Sequence, residues 1–196
     1  MPEMTPDALR AFCDRPPQIV APELIGATLM LAGAGGMIVE TEAYASGDPA
    51  SHSFSGQTSR NAAMFGRPAS AYVYLSYGIH WCFNIVCQPG SAVLVRALES
   101  LTGFDEMAAR RGVSDPRKLC SGPGKLCQAL GIDISHNGLD LDGGVLRLMP
   151  GEGGFQLLCG RRIGITRAVE REWRFGLAGS PFLSRRFPAT ARQTPG

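Results

Sequence analysis

The 196-residue chain contains no uninterrupted run of about 18 apolar residues, the length that a membrane-spanning helix requires. A transmembrane helix is therefore not expected. Its first residues, MPEMTPDALR, are acidic and polar where a secretory leader needs a basic start and an apolar stretch. A cytoplasmic protein is the expectation. There are only three histidines, and although there are six cysteines, no two are spaced C-x-x-C and no histidine follows at zinc-finger spacing. The thiols read as reduced core residues, and no metal site is predicted. Charged residues make up only 18% of the chain, and 19 Lys and Arg against 17 Asp and Glu leave a formal net charge of +2. That balance neither requires nor excludes a nucleic-acid partner, so any basic footprint must be local. No internal repeat and no linker divides the chain.

What is present is enough apolar material, 44% of residues, for one sizeable core. The expected architecture is α+β: one domain over residues 1–187, with a mixed or antiparallel curved sheet, flanking helices and a protruding β-hairpin. Thr5-Pro6-Asp7 has the cap and first-turn chemistry of a helix running through Cys13, and Pro22-Glu23 marks a second helix over PELIGATLM. Gly33 to Gly36 reads as a turn between ATLML and the strand-like MIVETEAY. Residues 45–70 are loop-rich. SAVLVRALES, GVLRLM and RRIGIT have strand composition, whereas GFDEMAARRG and GKLCQALGI have helical composition. The tail over 188–196, rich in Pro, Thr and Arg, is expected to be disordered.

The strongest β signal is AYVYLSYGIHWCFNIVC, two aromatic strands flanking Tyr77-Gly78. The loop length decides which side chains share a face. A two-residue turn would send Asn84 away from Tyr74, whereas a three-residue loop over 77–79 puts Tyr72, Tyr74, Cys82 and Asn84 together. The three-residue loop is the expectation.

In IVETEAY, residues 38–44, strand alternation places Glu40, Glu42 and Tyr44 on one face and Val39, Thr41 and Ala43 on the other. Taken alone, such a face is as compatible with solvated glutamates as with a site. SGPGK, residues 121–125, precedes a helix but lacks the G-x-x-x-x-G-K-[ST] spacing of a nucleotide triphosphate loop. Its amides and Lys125 suit a single phosphate, or simply form a turn with a solvated lysine.

Together, IVETEAY, ASHS, YVYLSYGIHWCFNI, VLVRALE, LCSGPGKLCQALGI and WRFGLAGSPF resemble the alkyladenine (3-methyladenine) DNA glycosylase family, in family order from about residue 20 to residue 184. The resemblance implies a monofunctional, cofactor-free enzyme, nucleoid-associated in use; a monomer is the default expectation. Its partner would be double-stranded DNA containing a damaged purine: 3-methyladenine, 7-methylguanine, hypoxanthine or ethenoadenine. By position, it implies Glu42 as the catalytic carboxylate that activates water, with Arg96 helping to hold that water and keeping Glu42 ionised. Tyr44, His52 and Tyr74 match the positions that sandwich a flipped base, Asn84 the position that excludes the guanine amino group, and Tyr77 the inserted wedge. Arg60, Arg67 and Lys125 are expected at DNA phosphates, and Glu40 in a supporting role. Phe182 stands where the family pattern has tryptophan, and His80-Trp81 replaces a Tyr-Phe-like pair, which bears on substrate preference.

Two rival classes share parts of this pattern. A non-catalytic nucleic-acid module would show the aromatics and scattered basic residues, and base release from alkylated DNA separates it from an enzyme. A glycoside hydrolase would show paired carboxylates, but two on one pleated face cannot readily flank a sugar from opposite sides.

Overall fold

The computed structural model describes residues 4–151 and 153–195. The helices are α1 (Pro6–Cys13), α2 (Pro17–Glu23), α3 (Phe104–Arg111), α4 (Pro116–Leu119) and α5 (Pro123–Leu130). The strands are β1 (Thr28–Leu31), β2 (Ala34–Tyr44), β3 (Ala71–Ser76), β4 (His80–Val86), β5 (Ala92–Thr102), β6 (Leu146–Met149), β7 (Gln156–Gly160), β8 (Arg174–Leu177) and β9 (Arg192–Pro195). They form a nine-stranded sheet in the order β3-β4-β5-β2-β8-β7-β9, with β1 between β2 and β6. Every strand pairing is antiparallel.

The eleven-residue strand β2 is the hub. One edge pairs with β5 along its length, while the other is shared by β1 over its first half and β8 over Glu40 to Glu42. Thr41 of β2 donates to the Ala21 carbonyl of α2 at 2.8 Å and Ala43 joins the main core, while the register with β5 shifts on both sides of Glu40, so that Ile38 rather than Val39 enters that core. Alternation along β3, β4 and β5 places Ala71, Val73, Phe83, Ile85, Val93 and Val95 in the main core. Burying a side chain such as Phe83 is worth about 1.5–3 kcal/mol, so the alternation fixes which face is dry. The opposite face carries Glu40, Glu42, Tyr44, Tyr72, Tyr74, Asn84 and Arg96.

The hairpin register settles the parity question. Tyr72 pairs with Asn84, Tyr74 with Cys82 and Ser76 with His80, leaving a three-residue loop over 77–79 closed by Ile79 N–H donating to the Ser76 carbonyl at 3.1 Å. At the N-terminus, Thr5 caps α1 through a 3.3 Å bond from Ala8 N–H, as its sequence indicates.

Four expectations are corrected. The second helix opens at Pro17, not Pro22: a proline is tolerated in the first turn because its missing N–H has no helical acceptor there, and Pro22 lies near the end of α2. The first hairpin turns at Ala32-Gly33, both at positive φ, rather than over Gly33 to Gly36. Gly35 and Gly36 are strand residues, and a Cβ there would lie 2.2 Å from the Leu29 carbonyl oxygen and 2.0 Å from that of Glu99. RRIGIT is a loop, because Arg162 is drawn into a buried ion pair and the Ile163 amide turns toward Glu42. The tail expected to be disordered instead supplies β9, whose backbone occupies the free edge of β7 from Cys159 to Gln156.

Candidate active site

A cavity of about 1080 Å³ opens on the second face of the sheet, at the root of the β3–β4 hairpin. Its walls come from β2 to β5, the loop after β2, the start of α5 and the loop after β7. Both glutamates of β2 face this side and both are fully buried, so the solvated-face alternative is excluded.

Glu42 is held on three sides. Its Oε1 accepts from Ile163 N–H at 2.7 Å, its Oε2 accepts from the Tyr44 hydroxyl at 2.8 Å, and Arg96 Nη1 lies 3.3 Å from Oε2. Burial pushes the Glu42 carboxyl above the usual value of 4.5, opposed first by Arg96 and then by these two hydrogen bonds. Arg96 favours the ionised form without fully offsetting burial. Burial also works against the Arg96 charge, but Glu42 and Glu40 outweigh it and raise the Arg96 pKa.

Glu40 anchors the neighbouring charges. Its Oε1 accepts from Arg174 Nε at 2.7 Å, Ser184 Oγ at 2.9 Å and Arg96 Nε at 3.2 Å, while Oε2 accepts from Ser184 N–H at 2.5 Å. Arg96 thus bridges both carboxylates from β5, one strand away. The support expected of Glu40 takes this form.

The aromatic groups divide into two sets. His52 meets the Tyr74 ring edge-on at 4.4 Å between centroids, and its Nδ1 lies 2.9 Å from the Tyr72 hydroxyl. Packing against these rings and the Arg60 charge lower the His52 pKa, favouring neutral imidazole. Tyr44 belongs to the other set: it has no ring contact with His52 or Tyr74 among the described residues, and Arg162 stacks on it at 4.7 Å. Asn84 lines the cavity, with Nδ2 donating to the Tyr72 carbonyl at 2.9 Å.

Tyr77 stands at the hairpin tip, 85% exposed and at φ 50°, next to exposed Ile79. Arg60 is exposed on the cavity rim. Lys125 is exposed beside Pro123 and Gly124, which line the rim, but does not line it itself. Arg67 is not brought to this site; it borders a smaller cavity with Ala63, Ser70 and Asp140.

Sequence reading missed the groups behind the cavity. Asp48 and Arg162 are buried and paired through both terminal guanidinium nitrogens, and Arg162 Nη1 also donates to the Ala43 carbonyl at 2.9 Å. Arg174, Ser184 and the Ile163 amide complete the support, and Arg167 and Arg185 join the rim. The alternation of WRFG places Arg174 opposite Glu42 in β8, a signal that could have identified it. Asp48 and Arg162 lie 114 residues apart, with no local pattern linking them.

The methylpurine-DNA glycosylase family model matches residues 11–181. Three curated relatives, each named "Putative 3-methyladenine DNA glycosylase", come from Rhodopseudomonas palustris (strain HaA2), Rhizobium meliloti (strain 1021) and Nitrosospira multiformis. The first is 57% identical over 91% of this chain and 90% of its own length; the second, 59% over 86% and 91%; the third, 58% over 86% and 89%. With a family match spanning most of the domain and relatives this similar along nearly their whole length, the chain belongs to the methylpurine-DNA glycosylase family of DNA repair enzymes.

Proposed function

We propose that this enzyme flips alkylated or deaminated purines out of duplex DNA and hydrolyses their N-glycosidic bond, with 3-methyladenine, 7-methylguanine, hypoxanthine and ethenoadenine as the substrate class. The carrying observation is a fully buried carboxylate, braced by a buried arginine, directly behind an aromatic-walled cavity at the root of a hairpin with an exposed tyrosine tip.

The base enters between Tyr44 and the His52–Tyr74 pair, where π-faces hold it irrespective of its exact hydrogen-bonding edge. Asn84 tests its shape: the amide crowds the exocyclic amino group of guanine and admits adenine-like and hypoxanthine-like outlines. The C1′–N bond then breaks with its electron pair leaving on the purine, and the sugar develops oxocarbenium character that the Glu42 carboxylate stabilises. Water adds at C1′ and gives its proton to Glu42, with Arg96 fixing the carboxylate. The scheme uses no cofactor and no lysine nucleophile, so no strand scission follows. Exposed Arg60, Arg167 and Arg185 around the rim, with Lys125 beside it, neutralise DNA phosphates, and Arg67 would do so only for a strand running past the hairpin root. Duplexes carrying one lesion each, scored for abasic sites, test the reading; no abasic product from any of them contradicts it.

The pH dependence follows from the environment of Glu42. Hydrolysis needs the carboxylate, so rate is present above its folded pKa and lost as pH falls through it. Because burial raises that pKa, the acid limb of single-turnover excision should lie above the ordinary value of 4.5. A limb at or below 4.5 would assign it to another group.

Tyr77 is the proposed wedge. An aromatic side chain on a left-handed backbone, 85% exposed, contributes little to the folded monomer. Filling the gap left by a flipped nucleotide offsets an unstacking cost of roughly a few kcal/mol. Tyr77→Ser should leave Tm almost unchanged yet weaken lesion-duplex binding and slow excision, with a smaller penalty when the lesion sits opposite a gap. A stability loss above about 1 kcal/mol with excision intact would make Tyr77 a packing residue instead.

A further inference from the structure

Arg162 ties together two working parts of the cavity wall. Its guanidinium has no exposed surface, pairs through both terminal nitrogens with the fully buried Asp48 carboxylate, and donates from Nη1 to the Ala43 carbonyl at 2.9 Å. Ala43 lies between Glu42 and Tyr44. The guanidinium carbon sits 4.7 Å from the Tyr44 ring centroid and 5.2 Å from that of Trp173, whose carbonyl accepts from Ala43 N–H at 2.9 Å. The next amide along the chain, Ile163 N–H, is the one that reaches Glu42 Oε1 at 2.7 Å. One side chain therefore backs the Tyr44 ring and fixes the loop that holds the carboxylate.

Stability alone does not account for such a pair. Taking two charges out of water costs about as much as their attraction returns, and apolar residues of similar volume commonly serve a fold as well or better. Here the Arg162 Nε finds no acceptor among the described residues, and Asp48 is shared with Arg171 at 3.4 Å. What an apolar filler lacks is geometry. It could not donate to the Ala43 carbonyl, present a planar cationic face to two aromatic rings or, by doing both, fix the backbone that leads into Ile163.

Resting on the hydrolysis proposed above, we infer that Asp48 and Arg162 are positioning residues that couple base recognition to catalysis: the pair fixes the Tyr44 ring against which the flipped base stacks and the Ile163 amide that holds the Glu42 carboxylate. Neither touches the reacting atoms. Both act through a neighbour, so loosening the pair damages two measurable properties at once. The Tyr44 ring loses its backing, and lesion recognition weakens. The Ile163 amide drifts from Oε1, leaving Arg96 from β5 and Tyr44 and Glu40 from β2 as the groups that face Glu42. Because that amide favours the ionised carboxylate, its loss raises the Glu42 pKa and moves the acid limb of excision to higher pH.

Two variants test the pair. Arg162→Lys keeps a cation beside Asp48 but has no planar fork to cover the Tyr44 and Trp173 rings. Asp48→Asn combined with Arg162→Met removes both charges together, so neither is left buried alone, and Tm should stay close to native. In both, the acid limb of single-turnover excision should move up by about one pH unit, the effect of one lost hydrogen bond to a charged group. The high-pH plateau should fall about 10-fold or more, as small misplacements at a reacting centre do. Preference for lesion duplex over undamaged duplex should drop about three-fold or more, the scale of one aromatic stacking contact. A role in folding alone predicts the reverse: a lower Tm for Arg162→Lys, with native acid limb, plateau and lesion preference in the folded fraction. That result, or failure of both variants to fold, overturns the inference. Native enzyme and Glu42→Gln run alongside distinguish the failures. If native enzyme releases base and Glu42→Gln does not, while both pair variants behave as native, the positioning role falls alone; if native enzyme releases none, or Glu42→Gln matches it, the hydrolytic reading falls.

Discussion

Glu42→Gln should lower single-turnover excision by about 100-fold or more while lesion-duplex binding survives. The substitution preserves size and leaves the Arg96–Glu40 contact in place. It removes the one group in the proposed scheme that can store the water's proton. The amide can satisfy Ile163 N–H with its oxygen, but its NH₂ then faces the Arg96 guanidinium, donor against donor. A modest loss of stability should therefore accompany the loss of rate, and binding measured on the folded fraction isolates the chemical defect. Near-native excision rates would remove Glu42 from the catalytic role.

The second large effect is on the fold. Glu40→Ala removes the acceptor shared by Arg96, Arg174 and Ser184, leaving two buried guanidinium groups without that partner. Breaking a buried pair on one side costs about 3–5 kcal/mol, because the remaining charge stays desolvated. For a chain of this size that corresponds to a Tm lower by roughly 6–20 °C. Thermal unfolding followed by circular dichroism checks it. A shift under about 2 °C would mean that Arg96 and Arg174 find other partners or water, and that Glu40 is not the anchor of the site.

Much of the site was legible because a strand has period two and a hairpin has one register. Counting along IVETEAY put Glu40, Glu42 and Tyr44 on one face, and loop parity put Tyr72, Tyr74, Cys82 and Asn84 on one face of the next pair of strands; both arrangements hold. What periodicity could not supply was depth. Charged residues alternating with apolar ones read equally as a wet face or a buried site; Arg96, Arg174 and Ser184 close over Glu40, and Arg96 and the Ile163 loop over Glu42, all arriving from distant segments.

The same limit explains the misreadings. RRIGIT has strand composition, yet Asp48 captures Arg162 from across the domain and the segment leaves the sheet. The Pro-, Thr- and Arg-rich tail lacks any hydrophobic signal, but β9 needs none, since it is held to the edge of β7 by backbone pairing.

The central claim is hydrolysis of the glycosidic bond at the cavity backed by Glu42. The most direct measurement is a single turnover on a duplex carrying one excisable purine, analysed both for free base by chromatography and for strand integrity, with borohydride present in a parallel reaction. The account predicts free purine and abasic sites in equal amounts, an intact strand, and no trapped protein–DNA adduct. Binding without base release, or a borohydride-trapped adduct with strand cleavage at the lesion, would contradict it.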